Sequence, residues 1–199
     1  LKDNSGVTHW SLGHSKIDDI GFLISLYSHI VSNYNINLDR VYSAGMSNGG
    51  YMSYYLACNM SDKIAAIASV TGAMGSFMQL NCRPIHPTPI LEIHGTDDVI
   101  VPFNNIINGI NYWRDYNNCN LIADTTYIPN FNLEDLSTVE HIVYSNGNNN
   151  VSTELFKIIN GEHNWPGAKR LKGVTNYDIN ASIEIWKFFS RYDINGLIH

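Results

Sequence analysis

The segment GMSNG (residues 45–49) places a serine between two glycines, directly after an apolar run and before a helix-forming stretch. In a Gly-x-Ser-x-Gly turn between a strand and a helix, the serine adopts a strained backbone conformation, because glycines let the strand and the helix approach closely. The serine oxygen then lies above the carboxyl end of a sheet, at a helix N-terminus whose amides stabilise an anion. A serine that only caps a helix is the simpler alternative, and the pentapeptide alone leaves both interpretations open.

Two later segments supply the groups that such a serine needs. A serine hydroxyl becomes a good nucleophile when a base takes its proton and a third group orients that base. The run ILEIHGTDDVIVP predicts a strand followed by Asp97 and Asp98, and FKIINGEHNWPG predicts a strand followed by His163. The order Ser, Asp, His is that of α/β-hydrolases, and each residue follows a predicted parallel strand, at the edge where such sheets bind ligands. We therefore predict Ser47, Asp98 and His163 as a catalytic triad.

The other acidic and imidazole side chains near these motifs have simpler interpretations. Asp98, rather than Asp97, is followed by two residues and then by Val-Pro, so we assign Asp97 to the turn. His94 ends a strand inside an apolar run and is interpreted as a hydrogen-bonded structural histidine. No Cys-x-x-Cys pair is present, and we predict neither a metal nor a cofactor. The remaining histidines have no ligand-like partners at helical or hairpin spacing: His9, His14, His29, His86, His141 and His199.

Composition excludes several classes of partner. The 199 residues are 44% hydrophobic, which is enough to bury the core of one ordinary domain. The net charge is −6 with only 12 basic residues, whereas binding of phosphate-rich surfaces requires a concentrated basic face. Nucleic acid is therefore not a predicted partner, and neither is an anionic membrane surface. No uninterrupted apolar run approaches the ~20 residues of a membrane span.

Helical and strand-like patterns alternate along the chain. This alternation indicates right-handed crossovers and a parallel sheet covered by helices on both faces, in three layers. No repeat or linker divides the sequence, so we predict one domain over residues 1–199 and a loop-rich surface excursion over 121–150. Strands are predicted at 39–45, 63–70, 88–95 and 153–160, and helices at 17–34, 47–60, 104–116 and 180–192.

Three motifs together resemble one family of enzymes. VYSAGMSNGGYMSYYLAC, HGTDDVIVP and GEHNWPG are similar to the secreted esterases grouped as polyhydroxybutyrate depolymerase-like proteins, with feruloyl and acetylxylan esterases of the same broad group. The resemblance runs from about Trp10 to the last predicted helix. It implies an α/β-hydrolase fold and cofactor-free hydrolysis of carboxylic esters, with Ser47 as nucleophile, Asp98 as acid and His163 as base. It also implies a secreted or periplasmic protein of bacterial type.

The chain departs from the family pattern in two places. The family usually has two or three glycines before the histidine, whereas this chain has Gly161 and Glu162; we expect the carboxylate to face water. Family members also carry a longer segment ahead of the point where this chain begins, which supplies the first strands and a second oxyanion amide. The resemblance therefore implies that the first strands are missing and that the amide of Asn48 supplies one donor. It also implies that strand 39–45 forms an edge, which a preceding segment or a second copy of the chain would cover.

We therefore predict a serine carboxylesterase that acts through an acyl-enzyme. A polyester depolymerase and a feruloyl or acetylxylan esterase are narrower versions of this prediction. A non-catalytic hydrolase remnant, which keeps the triad residues and at most binds a ligand, is the alternative of another class. Tyr51 and Trp165 flank the triad residues in sequence, and they either line an acyl or aryl site or simply pack against the turns.

The three cysteines are Cys58, Cys82 and Cys119. The helix over 47–60 starts at the active-site edge of the predicted sheet, so Cys58 should lie near the opposite edge. The segment 71–87 must return to that opposite edge to begin the next parallel strand, which brings Cys82 close to Cys58. We predict a disulfide between these two and a free thiol at Cys119. Members of the family that the chain resembles are secreted, which fits an oxidising compartment.

Overall fold

The computed structural model describes residue 6, residues 8–169 and residues 173–198. The strands are β1 (Tyr42–Met46), β2 (Ala66–Val70), β3 (Ile90–Gly95), β4 (Asp124–Ile128), β5 (Thr138–Tyr144), β6 (Thr153–Ile159), β7 (Tyr192–Asp193) and β8 (Gly196–Leu197). The α-helices are α1 (Asp19–Asn33), α2 (Asn48–Asn59), α3 (Ser76–Asn81), α4 (Asn104–Tyr116) and α5 (Ala181–Phe189). None of these helices is long and apolar enough to cross a bilayer.

Six strands form one mixed sheet in the order β1-β2-β3-β6-β5-β4. Strands β1, β2, β3 and β6 run parallel, while β5 is antiparallel to β6 and β4 is antiparallel to β5. This architecture confirms the predicted α/β class. The four predicted strands and four predicted helices all occur, with bounds that differ by at most a few residues, whereas the short α3 was not predicted.

The prediction of a loop-rich excursion over 121–150 is wrong, because β4 and β5 lie within it. Four of the five residues of β4 are exposed and most of β5 is half-buried, so neither strand carries the apolar run that marks a buried strand. β5 pairs with β6 and β4 pairs with β5, and β5 contributes Val139 to the core. Only one face of such strands carries apolar residues, and the sequence pattern therefore missed them.

The core lies on both faces of the sheet. Alternate residues of a strand point to opposite faces, and in β2 this rule sends Ala66 and Ala68 toward α5 while Ile67 packs with α2 and α4. Phe188 of α5 belongs to the first cluster and Trp113 of α4, which is fully buried, to the second. Helices therefore cover both faces, as the alternation of elements predicts.

Strand β1 occupies one end of the sheet order and pairs with β2 among the described residues. Its residues are half-buried or exposed, and Ala44 is the exposed one. The predicted edge position is thus confirmed. Covering of this edge by a preceding segment or by a second copy stays a prediction, as does the organisation of the chain as one domain.

The predicted disulfide between Cys58 and Cys82 is confirmed, and Cys119 is a buried free thiol. Cys58 lies in the last turn of α2, and Cys82 follows α3 directly. The bond thus fastens the return segment to the end of α2 that lies away from Ser47.

We expect the Cys58→Ser/Cys82→Ser variant to lose about 3 kcal/mol of unfolding free energy, because the bond closes a loop with a sequence separation of 24 residues. Urea unfolding followed by circular dichroism measures this difference. Cys119→Ser is the control, since it removes the free thiol and keeps the cross-link. An unchanged urea midpoint in the double variant would contradict the expectation.

Candidate active site

The three predicted triad residues follow three parallel strands at the same edge of the sheet. Ser47 comes directly after β1, Asp98 lies in the loop after β3, and His163 lies in the loop after β6. The sheet order β1-β2-β3-β6 keeps these strands close together. The carboxyl ends of parallel strands form the edge at which open α/β sheets bind ligands.

Ser47 occupies a strained turn between β1 and α2. Its φ of 52° and ψ of −118° lie outside the regions that residues with side chains commonly adopt. Its amide donates to the carbonyl of Val70 (2.8 Å) and its carbonyl accepts from the amide of Tyr51 (3.0 Å). Ser47 occupies the N-cap position of α2, but its side chain makes no capping hydrogen bond to the helix.

Gly45 allows the turn to close. A Cβ at this position would lie 2.4 Å from the carbonyl carbon of Gly49, a contact that backbone atoms cannot relieve. A Cβ at Gly49 would meet no atom within 4 Å. The close approach of strand and helix therefore requires the first glycine of the motif, while the second leaves open space beside Ser47.

The carboxylate of Asp98 is bound by two backbone amides and one imidazole. Its Oδ1 accepts from the amides of Ile100 (2.9 Å) and Val101 (2.8 Å), and its Oδ2 lies 2.7 Å from Nδ1 of His163. Asp98 is only 3% exposed, whereas His163 is half-buried. A carboxylate held in this way fixes the ring so that Nε2 is available to a substrate or a nucleophile.

The loops that carry Asp98 and His163 are in direct backbone contact. A Cβ at Gly95 would lie 2.1 Å from the carbonyl oxygen of Gly161, so only glycine fits there. The amide of Asp97 donates to the same carbonyl (2.9 Å), and the amide of Asn160 donates to Oγ1 of Thr96 (2.9 Å). These contacts set the position of the carboxylate relative to the imidazole.

The neighbouring polar residues have the surroundings that the sequence predicted. Asp97 is exposed and accepts from the hydroxyl of Thr96 (2.9 Å), as expected for a turn residue. His94 is fully buried and both of its ring nitrogens have hydrogen-bond partners. Glu162 is exposed and faces water. Over the described ranges, no group of three or more His, Cys, Asp or Glu residues is arranged to hold a metal ion, and His199 lies outside those ranges.

Asn48, the predicted oxyanion residue, also has a role that the sequence did not reveal. It is the first residue of α2, where backbone amides lack helical partners. Its side chain accepts from the amide of Trp10 (2.7 Å) and donates to the carbonyl of Trp10 (3.2 Å). These two hydrogen bonds hold the segment around Trp10 beside Ser47. Local sequence patterns do not predict the contact, because the two residues are 38 positions apart.

The two predicted substrate-binding aromatic residues differ in their surroundings. Tyr51 packs against a small buried cluster with Val101 and Ile106, and it lines a cavity of about 250 Å³ together with Met74 and Asn105. Burial and the negative charges of Glu92 and Asp98 raise the pKa of the Tyr51 phenol, so its hydroxyl stays neutral.

Trp165, by contrast, packs on the edge of the core cluster that includes α5. Its indole N–H donates to the hydroxyl of Ser182 (3.2 Å). Contact of Trp165 or Tyr51 with a substrate stays a prediction.

The sequence of residues 20–139 matches the model of the Phospholipase/Carboxylesterase family. A bifunctional acetylxylan esterase/xylanase of Neocallimastix patriciarum is 29% identical over 130 residues, which is 65% of this chain and 19% of that protein. Feruloyl esterase B of Piromyces equi is 34% identical over 99 residues, which is 48% of this chain and 18% of that protein. The chain thus spans about a fifth of the length of these relatives.

A solved structure supports the fold. Acetyl xylan esterase from Aspergillus awamori superposes with a TM-score of 0.62 over 85% of this chain and 66% of that chain, at 12% sequence identity. At this identity the likeness concerns the fold alone. The predicted α/β-hydrolase architecture and the resemblance to feruloyl and acetylxylan esterases are therefore confirmed.

Proposed function

The chain belongs to the phospholipase/carboxylesterase family, and from this premise we propose that it is a serine esterase that hydrolyses carboxylic esters through an acyl-enzyme. The observation that carries the proposal is the strained turn at Ser47, on the same sheet edge as the hydrogen bond between His163 and Asp98. They support the proposal because a serine triad requires a hydroxyl exposed at a turn and an imidazole oriented by a buried carboxylate.

In the proposed mechanism, Oγ of Ser47 attacks the ester carbonyl while Nε2 of His163 takes its proton. Asp98 accepts the Nδ1 proton of His163 in a hydrogen bond and stabilises the imidazolium, without taking the proton. The backbone amide of Asn48 stabilises the oxyanion of the tetrahedral intermediate. His163 then protonates the leaving alcohol, and a water activated by the same imidazole releases the acid and restores Ser47.

For the substrate, we propose an acetyl or feruloyl ester carried by a plant polysaccharide. The names of the two relatives, an acetylxylan esterase/xylanase and a feruloyl esterase, support this choice. Tyr51 lies one helical turn after Ser47, and the cavity that it lines is large enough for an acyl or aryl group. A polyester depolymerase remains the alternative within ester hydrolysis, and a non-catalytic remnant remains the alternative outside it.

Hydrolysis of four esters in parallel tests these alternatives: p-nitrophenyl acetate, methyl ferulate, acetylated xylan and a polyhydroxybutyrate film. We expect turnover of the aryl acetate together with release of acetate from xylan or of ferulate from its ester. Faster release of hydroxybutyrate from the film would favour the depolymerase instead. No turnover of any ester, by a chain that unfolds cooperatively, would favour the non-catalytic remnant.

We also propose a location outside the cytoplasm. The Cys58–Cys82 disulfide fits an oxidising compartment. The choice between secretion and a periplasm, and a bacterial source, stay predictions.

A further inference from the structure

Strand β3 carries two titratable side chains that the proposed mechanism does not use. Glu92 and His94 are both completely inaccessible to solvent. The residues next to them on the same strand, Leu91 and Ile93, belong to the apolar core. Burying a carboxylate and an imidazole in such surroundings is costly unless both find partners. Their contacts show where those partners lie.

A chain of polar contacts runs from α2 to the proposed catalytic acid. The hydroxyl of Tyr54 donates to Oε2 of Glu92 (3.0 Å), and Oε1 of Glu92 lies 3.0 Å from Nδ1 of His94. On the other side of the ring, Nε2 of His94 lies 2.7 Å from the carbonyl oxygen of Val101 and 3.4 Å from Oδ2 of Asp98. A carbonyl oxygen only accepts, so Nε2 carries a hydrogen.

We propose that His94, held by Glu92, is a positioning residue for Asp98 and that it carries a positive charge as an ion pair with Glu92. Oδ2 of Asp98 then lies between two imidazoles, 2.7 Å from Nδ1 of His163 and 3.4 Å from Nε2 of His94. This inference rests on the proposed function, in which Asp98 orients His163.

The same contact also holds the loop that contains the acid. Val101 accepts from His94 through its carbonyl and donates to Oδ1 of Asp98 through its amide (2.8 Å). His94 therefore holds one end of the turn over 98–101 by a hydrogen bond to Val101 and lies within ion-pair distance of Asp98 at the other end. Loss of this contact would loosen the turn that sets the position of the carboxylate beside His163.

Electrostatics favour the charged form of His94. Burial acts to lower the pKa of His94, but the hydrogen bond and the charge of Glu92 raise it above its ordinary value. Burial raises the pKa of Glu92, and the hydrogen bond and charge of His94 act against that rise. The titratable groups facing the pair are Tyr51 and Tyr54 of α2, Asp98 of the loop after β3 and, beyond Asp98, His163 of the loop after β6.

A positive charge on His94 acts on the carboxylate oxygen that holds His163, because both rings contact Oδ2 of Asp98. Glu92 partly offsets this effect, but it lies on the far side of His94 from Asp98. Removing the charge should therefore move the acid limb of the pH–rate profile. A changed pH dependence would distinguish a positioning role of the charged His94 from a purely structural role, which would alter stability alone.

The test is Glu92→Gln, which keeps the size of the side chain and can donate from its amide to Nδ1 of His94, leaving the ring neutral. We expect the acid limb of the kcat/KM profile to move to higher pH by about half a unit or more. We also expect kcat to fall by about tenfold with KM unchanged, because the interaction acts on the transition state. His94→Gln is the second variant: it keeps a donor toward Val101 without the positive charge, leaves the carboxylate of Glu92 in place, and should shift the acid limb in the same direction.

One control variant and one measurement without substrate decide between the outcomes. The Cys58→Ser/Cys82→Ser variant is destabilised far from the site and should keep the wild-type pH profile. If Glu92→Gln and His94→Gln lower only the unfolding temperature and their profiles coincide with the wild type, the proposal is overturned. The NMR signals of the His163 ring give a comparison without substrate, and they should differ from those of the wild type in both variants. A wild-type chain without turnover would therefore refute the proposed function and still leave this measurement to decide the role of His94.

Discussion

Ser47→Ala abolishes ester hydrolysis if the strained turn presents a nucleophile, and we expect kcat to fall by about 10⁴-fold or more. The alanine removes the attacking oxygen and leaves the backbone hydrogen bonds of the turn in place, since those use the amide and the carbonyl of residue 47. The fold should therefore survive. The measurement is hydrolysis of p-nitrophenyl acetate, together with covalent labelling by a fluorophosphonate, which reports the activated serine directly.

Ser43→Ala is the matched control for this experiment. Ser43 lies in β1, four residues before Ser47, and its hydroxyl is hydrogen-bonded to that of Ser53 (3.0 Å). This variant should keep both turnover and labelling. Retention of a substantial fraction of the wild-type rate in Ser47→Ala would mean that the turn does not present the nucleophile.

Asp98→Asn should be nearly as damaging, with a loss of about 10⁴-fold in kcat. Two backbone amides hold Oδ1 of Asp98, so an asparagine would keep its oxygen on that side and turn its NH₂ group toward His163. The ring would then have to accept at Nδ1 and carry its hydrogen on Nε2, which is the wrong tautomer for removing a proton from Ser47. The size and the hydrogen bonds to the loop stay the same, which limits damage to the fold.

Asp97→Asn is the matched control for Asp98→Asn, since it makes the same substitution one residue earlier. Asp97 is exposed, and its contact with Thr96 requires only an acceptor, which asparagine also offers. We expect a rate close to wild type, measured on the same aryl acetate with thermal unfolding in parallel. Equal losses in the two variants, or a larger loss at Asp97, would remove Asp98 from the proposed triad.

Much of the fold and of the candidate site could be predicted from local patterns. The parallel strands β1, β2, β3 and β6 have strand-like sequences that end at a turn, and the helices between them carry apolar residues at helical spacing, so each element has its own signal. The glycine-flanked Ser47 and the polar residues just after β3 and β6 have local signals too. Their convergence follows from one rule, that parallel strands end at the same edge.

Other features have no local signal. Strands β4 and β5 lack a long apolar run; β5 joins the sheet by pairing with β6, and β4 joins it by pairing with β5. The pairing of Asn48 with Trp10 spans 38 residues of sequence. A glutamate inside the apolar run of β3 was a visible anomaly, but nothing near it in sequence identified Tyr54 as its partner.

The sequence by itself therefore determined the class of fold, the disulfide pair and the turn that holds Ser47, because each depends on periodicity, on glycine or on the return path of the chain between parallel strands. Only the tertiary structure decided the surroundings of the carboxylates. The position of Asp98 between His94 and His163 arises where two loops cross at Gly95 and Gly161. Such side-chain contacts depend on distances between segments far apart in the chain, and no spacing along the sequence encodes them.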